Sequence, residues 1–64
     1  MNYAVQFLRR PQVEEMTSLS RATIYKLMNK DEFPKSISIA PRIVVWVRKD
    51  IEDWMSKQIN IESV

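Results

Sequence analysis

The side chains best suited to contact another molecule lie on one surface of a predicted helix. Lys26 and Asn29 carry hydrogen-bond donors that suit the edges of nucleic-acid bases, and Arg21 and Tyr25 suit contacts to phosphate. No carboxylate lies on this surface. The residue types therefore favour an anionic partner. The outward positions predicted for this helix are Arg21, Ala22, Tyr25, Lys26, Asn29 and Lys30.

Basic residues are concentrated in the middle of the chain. The 64 residues carry a net charge of +2. The segment 20–48 has six basic side chains against two acidic ones, a net charge of +4, and the remainder carries −2. Lys35 and Arg42 extend the basic set beyond the helix. This distribution favours one face built for an anionic partner, with ordinary surface charge as the alternative.

The composition offers little for catalysis or metal binding. The chain has no cysteine, histidine or glycine. It therefore lacks thiolate and imidazole ligands, an imidazole base and a glycine-rich phosphate loop. Asp50, Glu52 and Asp53 are explained by the favourable field at a helix N-terminus. We expect no enzyme activity, no catalytic or metal-binding residue, no cofactor and no small-molecule ligand.

The basic helix is predicted to be the second of two short helices joined by a turn of about three residues. Pro11 suits the first turn of the first helix. Ser20 is a good N-cap for the second, which runs over about 21–30 and ends before the Phe33-Pro34 pair. The predicted inward positions of the two helices are Val13, Met16, Ile24, Leu27 and Met28.

A β-hairpin is predicted after Pro34, where the apolar period changes from 3.6 to 2. Ile37 and Ile39 alternate with serines, and 43–47 is a second β-rich run. The turn between them places Arg42 near the hairpin tip. A final helix is predicted to begin near Lys49. Its predicted apolar stripe is Ile51, Trp54 and Met55, and 59–64, which has no clear period, is expected to be frayed.

The two tryptophans and Phe33 are expected in the core. Trp46 and Trp54 fall at inward positions, and a tryptophan in so small a domain usually packs there. Ile43 and Val45 should lie on the hairpin face opposite Val44 and Trp46. If exposed, they would form an apolar edge that favours pairing with a second chain.

These elements predict an α+β, mostly helical domain, a small winged helix-turn-helix with three helices and a two-stranded hairpin wing. We expect residues 1–64 to form one such domain, with its core over 8–58. A helix fits the major groove of duplex DNA, and a wing carrying Lys35 and Arg42 can grip the neighbouring backbone or minor groove. A structural helical hairpin, with Lys26 and Asn29 merely solvated, is the alternative.

The string from Leu8 to Met55 resembles the AlpA family of phage-encoded regulators, related to phage excisionases and to the DNA-binding half of MerR-type proteins. The resemblance is carried by "TSLSRATIYKLMNKDEFPKSISI" and "PRIVVWVRKDIEDWM". It implies a winged helix-turn-helix that binds DNA for transcription control or prophage excision. The functional positions it implies are Arg21, Thr23, Tyr25, Lys26 and Arg42.

The chain departs from the family pattern at its turns. The family often has glycine before the Leu-Ser pair and near the wing turn, where this chain has Ser18 and Ala40. Ser18 is therefore expected in a left-handed conformation, which costs about 1 kcal/mol. The position that caps the last helix, often serine in the family, is Lys49.

Together these features predict a small phage or prophage-type transcriptional regulator that binds double-stranded DNA. An architectural excisionase and a small protein-interaction or dimerisation module remain as alternatives, and self-association on DNA is open. No secretion signal is visible, and the longest apolar run, 43–47, is too short to cross a bilayer. We expect a cytoplasmic, nucleoid-associated protein.

Overall fold

The computed structural model describes residues 5–62, with side chains through Ile59. These residues form three helices and one small antiparallel sheet, which confirms the predicted α+β winged helix fold. Each helix contributes one residue to the buried cluster that contains Leu8 and Trp46 of the sheet. In chain order the elements are β1 (Phe7–Leu8), α1 (Arg10–Thr17), α2 (Arg21–Asn29), β2 (Ile37–Ala40), β3 (Ile43–Val47) and α3 (Arg48–Glu62).

The sheet has three strands in the order β1-β3-β2, one more than the hairpin predicted from sequence. Strands β2 and β3 form the expected wing. The additional strand β1 pairs antiparallel with β3, placing Phe7 opposite Val47 and Leu8 opposite Trp46. The Arg48 N–H extends this pairing by donating to the Gln6 carbonyl at 2.8 Å. The N-terminal segment is thereby fixed against the strand that leads into α3.

The turn between α1 and α2 has the geometry expected from the sequence. Ser18 ends α1 with φ 64°, in the left-handed region, and its N–H donates to the Glu14 carbonyl. Ser20 then caps α2, because its Oγ accepts from the Thr23 N–H at 3.2 Å. The chain turns between the two helices within three residues, which fixes their relative direction.

Trp46 is the centre of the core. It is fully buried with Leu8, Val13, Ile24, Phe33 and Ile51, residues that come from two strands, all three helices and one loop. The predicted inward stripe of α2 is confirmed, since Leu27 and Met28 pack partly buried against this cluster. A domain of this size relies on such a cluster for its stability.

The two faces of β3 differ from the expectation in detail. Val45 and Trp46 are consecutive residues of β3, so their side chains point to opposite faces of the sheet, as expected. Val45, however, is buried at 2% exposure, whereas Val44 is 36% exposed because it lies beyond the core towards the wing tip.

The last helix is longer than the sequence indicated. It continues through Glu62, so that residues 59–62, for which we expected fraying, are helical, and 63–64 lie outside the described residues. Between residues 5 and 62, no helix is both long and apolar enough to cross a membrane.

Candidate nucleic-acid interface

The outward surface of α2 is exposed as predicted. Arg21, Ala22, Lys26 and Asn29 are all exposed, and Lys30 follows them at the C-cap. The opposite side of the helix is held by Ile24, which is fully buried. Because the same short helix buries one stripe and exposes the other, its polar side chains project from a rigid support.

Tyr25 contributes to both sides of α2. Its ring lies 6.4 Å from the Trp46 ring, at an interplanar angle of 60°, and is partly buried. The Arg21 guanidinium lies over the same ring, 5.7 Å from its centroid. This cation–π contact orients Arg21 without neutralising its charge, so that the guanidinium remains available to an anion.

Thr23, a functional position implied by the family resemblance, also has a structural role. Its hydroxyl accepts a hydrogen bond from the Ser20 hydroxyl at 3.0 Å, in addition to the backbone cap. It is only partly exposed. Any contact that Thr23 makes with a ligand would therefore also depend on the start of α2.

Arg10 is a partly buried basic side chain outside the contact residues predicted from the sequence. It lies at the start of α1 and forms an ion pair with Glu14 at 2.9 Å. This hydrogen bond raises the pKa of the Arg10 guanidinium, and the Tyr25 side chain adds a smaller effect in the same direction. Within the described residues, the partner of the Arg10 guanidinium is Glu14 on the same helix.

Lys35 is held close to the end of α2. Its ammonium group donates to the Met28 carbonyl at 3.3 Å and pairs with Asp31 at 2.8 Å. The ammonium thus satisfies a carbonyl at the helix C-terminus, where positive charge is favourable. The hydrogen bond from Lys35 lowers the pKa of the exposed Asp31 carboxyl. Lys35 lies at the wing base, and its ion pair with Asp31 reduces the charge it presents.

Arg42 lies at the wing tip, as expected, and has a backbone feature that the sequence did not reveal. Its φ is 65°, in the left-handed region, where glycine is usual at the second central residue of a type II turn. The family's glycine near the wing turn drew attention to Ala40, but Ala40 lies in β2. Arg42 is exposed, so its guanidinium is displayed at the most distal point of the hairpin.

Two indoles fix the loop that connects α2 to the wing. The Trp46 Nε1–H donates to the Pro34 carbonyl at 3.2 Å, and the Trp54 Nε1–H donates to the Glu32 carbonyl at 2.8 Å. Phe33, between these carbonyls, is buried and meets the Trp54 ring edge-on at 4.8 Å. These two hydrogen bonds hold the loop in place, and the loop in turn determines the distance between α2 and the wing.

An exposed helix on a capped turn, followed by a hairpin with a basic tip, defines a small winged helix-turn-helix domain. The chain belongs to the family described as Prophage CP4-57 regulatory protein (AlpA), which matches residues 6–59. The matched region includes every predicted contact residue.

Two relatives differ in how much of their length the chain spans. It is 33% identical to the DNA-binding transcriptional activator AlpA of Escherichia coli K12 over 64 residues, 91% of each chain. It is 41% identical over 54 residues to the uncharacterized protein ORF88 of Enterobacteria phage P4, covering 84% of this chain and 61% of that protein. The chain thus spans less than two thirds of the phage protein.

Proposed function

We propose that this protein is a sequence-specific DNA-binding regulator of transcription, without enzyme activity, that acts in the cytoplasm on the nucleoid. Helix α2 enters the major groove, and the wing contacts the backbone or minor groove. The proposed contact residues are Arg21, Ala22, Thr23, Tyr25, Lys26, Asn29, Lys30, Lys35 and Arg42.

One observation carries this proposal. The outward surface of α2 has exposed basic and amide side chains and no carboxylate, and it shares the domain with a wing whose exposed tip is Arg42. A helix with a purely structural role would not require basic and amide side chains on its exposed side. The Escherichia coli relative is named as a DNA-binding transcriptional activator, which favours transcription over excision.

Lys26 and Arg42 have different roles in this arrangement. Lys26 on α2 presents donors to base edges, which distinguish sequences, whereas Arg42 at the wing tip suits phosphate or minor-groove contacts, which fix register. Replacing Lys26 with alanine should therefore lower affinity for a cognate duplex more than for a scrambled one. Arg42→Ala should lower both by similar factors and reduce the log–log salt slope by about one unit.

The experiment first selects a cognate duplex from a random-sequence library with the unmodified protein. Titrations on cognate and scrambled duplexes at several salt concentrations then compare K26A and R42A. The matched control is K57A, which removes the same charge from an exposed position on α3. Unchanged cognate binding by K26A would show that α2 is not the recognition surface. Equal losses of affinity in all three variants would show that binding depends only on the net charge of the protein.

A further inference from the structure

Each helix begins with an arginine that contacts the residue four positions later. Arg10 of α1 pairs with a glutamate carboxylate at 2.9 Å, and Arg48 of α3 pairs with another at 3.0 Å. Arg21 of α2 has Tyr25 at the same spacing, and its guanidinium carbon lies 5.7 Å from the centroid of that ring. Residues four apart lie on the same side of a helix, which explains all three contacts. The helix proposed to contact DNA therefore has a ring where the other two have a carboxylate.

The kind of partner determines how much charge the arginine presents. A carboxylate offsets the charge of a guanidinium and would itself repel a phosphate group. The face of an aromatic ring attracts a cation through its quadrupole and carries no net charge. Within residues 5–59, no carboxylate forms an ion pair with Arg21. Arg21 is thus held in place and keeps its positive charge.

The Tyr25 ring is itself held from the core. It packs partly buried against the cluster around Trp46, whose ring lies 6.4 Å away. Trp46 is fully buried, and its Nε1–H donates to the Pro34 carbonyl. The Tyr25 ring therefore has little freedom to move, and a contact with it also restricts Arg21.

A guanidinium that is already restricted binds more tightly than a mobile one. An arginine side chain loses rotational freedom when it binds a phosphate, and this loss lowers the affinity. A ring that restricts the side chain in the free protein makes this loss smaller. The Ser20 cap acts in the same direction, because it fixes the backbone at the start of α2, from which Arg21 projects.

We propose that Tyr25 is a positioning residue for DNA binding, because its ring holds the Arg21 guanidinium in the orientation that meets a phosphate of the duplex. This inference rests on the proposed DNA binding. It assigns part of the contribution of Tyr25 to a side chain other than its own. It therefore predicts that the effects of changes at positions 21 and 25 are coupled.

A double-mutant cycle on the selected duplex measures this coupling. R21A should lower the affinity of the unmodified protein and of Y25F by the same factor, because phenylalanine keeps the ring. In Y25L, which has no ring, R21A should lower the affinity by a factor about two to five times smaller, the usual strength of an exposed cation–π contact. Each factor is measured within one background, so a contact of the Tyr25 hydroxyl does not enter it.

Lys26 provides the matched control. It is exposed on the same helix, and the cation–π contact of Tyr25 is with Arg21 and not with Lys26. K26A should therefore lower the affinity by the same factor in all three backgrounds. Circular dichroism checks that each variant is folded, and Y25M, with a more adaptable side chain, replaces Y25L if that variant does not fold.

Nuclear magnetic resonance tests the contact in the free protein. Protons above an aromatic ring are shifted upfield. The Arg21 side-chain resonances should therefore lie upfield of those of Arg42, for which the described residues show no cation–π contact. The shift should persist in Y25F and disappear in Y25L.

The outcomes distinguish this role from the proposed function. Equal effects of R21A in all three backgrounds, or Arg21 resonances that do not change in Y25L, would overturn the positioning role and leave DNA binding intact. A K26A effect that shrinks in Y25L as much as the R21A effect would also overturn it, because the ring would then support the whole helix. Absence of binding to any duplex, including the selected one, would overturn the proposed function and this role with it, even if the spectrum showed the contact.

Discussion

Trp46 and Trp54 donate the same kind of hydrogen bond from different surroundings. Trp46 is fully buried at the centre of the core, and Trp54 is partly exposed on α3. Their Nε1–H groups reach the Pro34 and Glu32 carbonyls, on either side of Phe33. One loop is therefore held from the interior by one indole and from the surface by the other. We therefore expect Trp46 to be required for folding, and Trp54 mainly to position the loop that leads to the wing.

The largest effect should follow loss of the buried indole. Trp46→Ala leaves a cavity at the point where helices and strands meet, at a cost of about 3–5 kcal/mol, comparable with the whole stability of a small domain. Circular dichroism should show a largely unfolded chain at 25 °C. A folded W46A protein would mean that Trp46 is less central to the core than its complete burial implies.

Loss of the surface indole should be tolerated. Trp54→Ala removes a partly exposed ring and its contact with Phe33, and should lower the free energy of unfolding by about 2 kcal/mol. Urea titration followed by circular dichroism measures this change. If W54A were as unstable as W46A, the distinction between the two positions would not hold.

Replacement by phenylalanine isolates the hydrogen bonds more closely. In W46F the Pro34 carbonyl loses a donor beside a buried ring, and the smaller side chain leaves a cavity, so we expect a cost of about 2 kcal/mol. In W54F water can reach the exposed Glu32 carbonyl, and the cost should be about 0.5 kcal/mol. Urea midpoints of the two variants give the ratio, and equal shifts would contradict this assignment.

The smallest expected effect is the pH dependence of stability that arises from the Asp31–Lys35 ion pair, at the start of the same loop. Lys35 lowers the folded-state pKa of Asp31, so this pair contributes stability above the unfolded pKa of about 4, and that contribution is lost as pH falls through the lower folded value. Asp31→Asn removes the titration and tolerates the φ of 60° at this position. Urea midpoints between pH 5 and pH 2 should fall slightly more for the unmodified chain than for D31N. The reverse order would rule out a stabilising pair.

Local patterns were sufficient for much of this molecule. The exposed side of α2 and its Ser20 cap depend on residues within one or two turns. The left-handed Ser18 was expected from the family resemblance, because the family often has glycine at this position. Strand β1 was missed because Leu8 pairs with Trp46, 38 positions later, and two residues carry no period. The Lys35 hydrogen bond to Met28 was missed for a similar reason, since it depends on the path of the loop. Contacts with DNA depend on a second molecule and stay predictions.

The pairing of β1 with β3 also has a consequence for the order of folding. The wing hairpin closes across a two-residue turn, whereas β1 meets β3 only after the intervening helices have been enclosed. Closing the longer loop costs more chain entropy, so the hairpin and the helices beside it should form first and Phe7–Leu8 should dock last. During synthesis, β1 leaves the ribosome before β3, and it can pair only after Val47 has emerged.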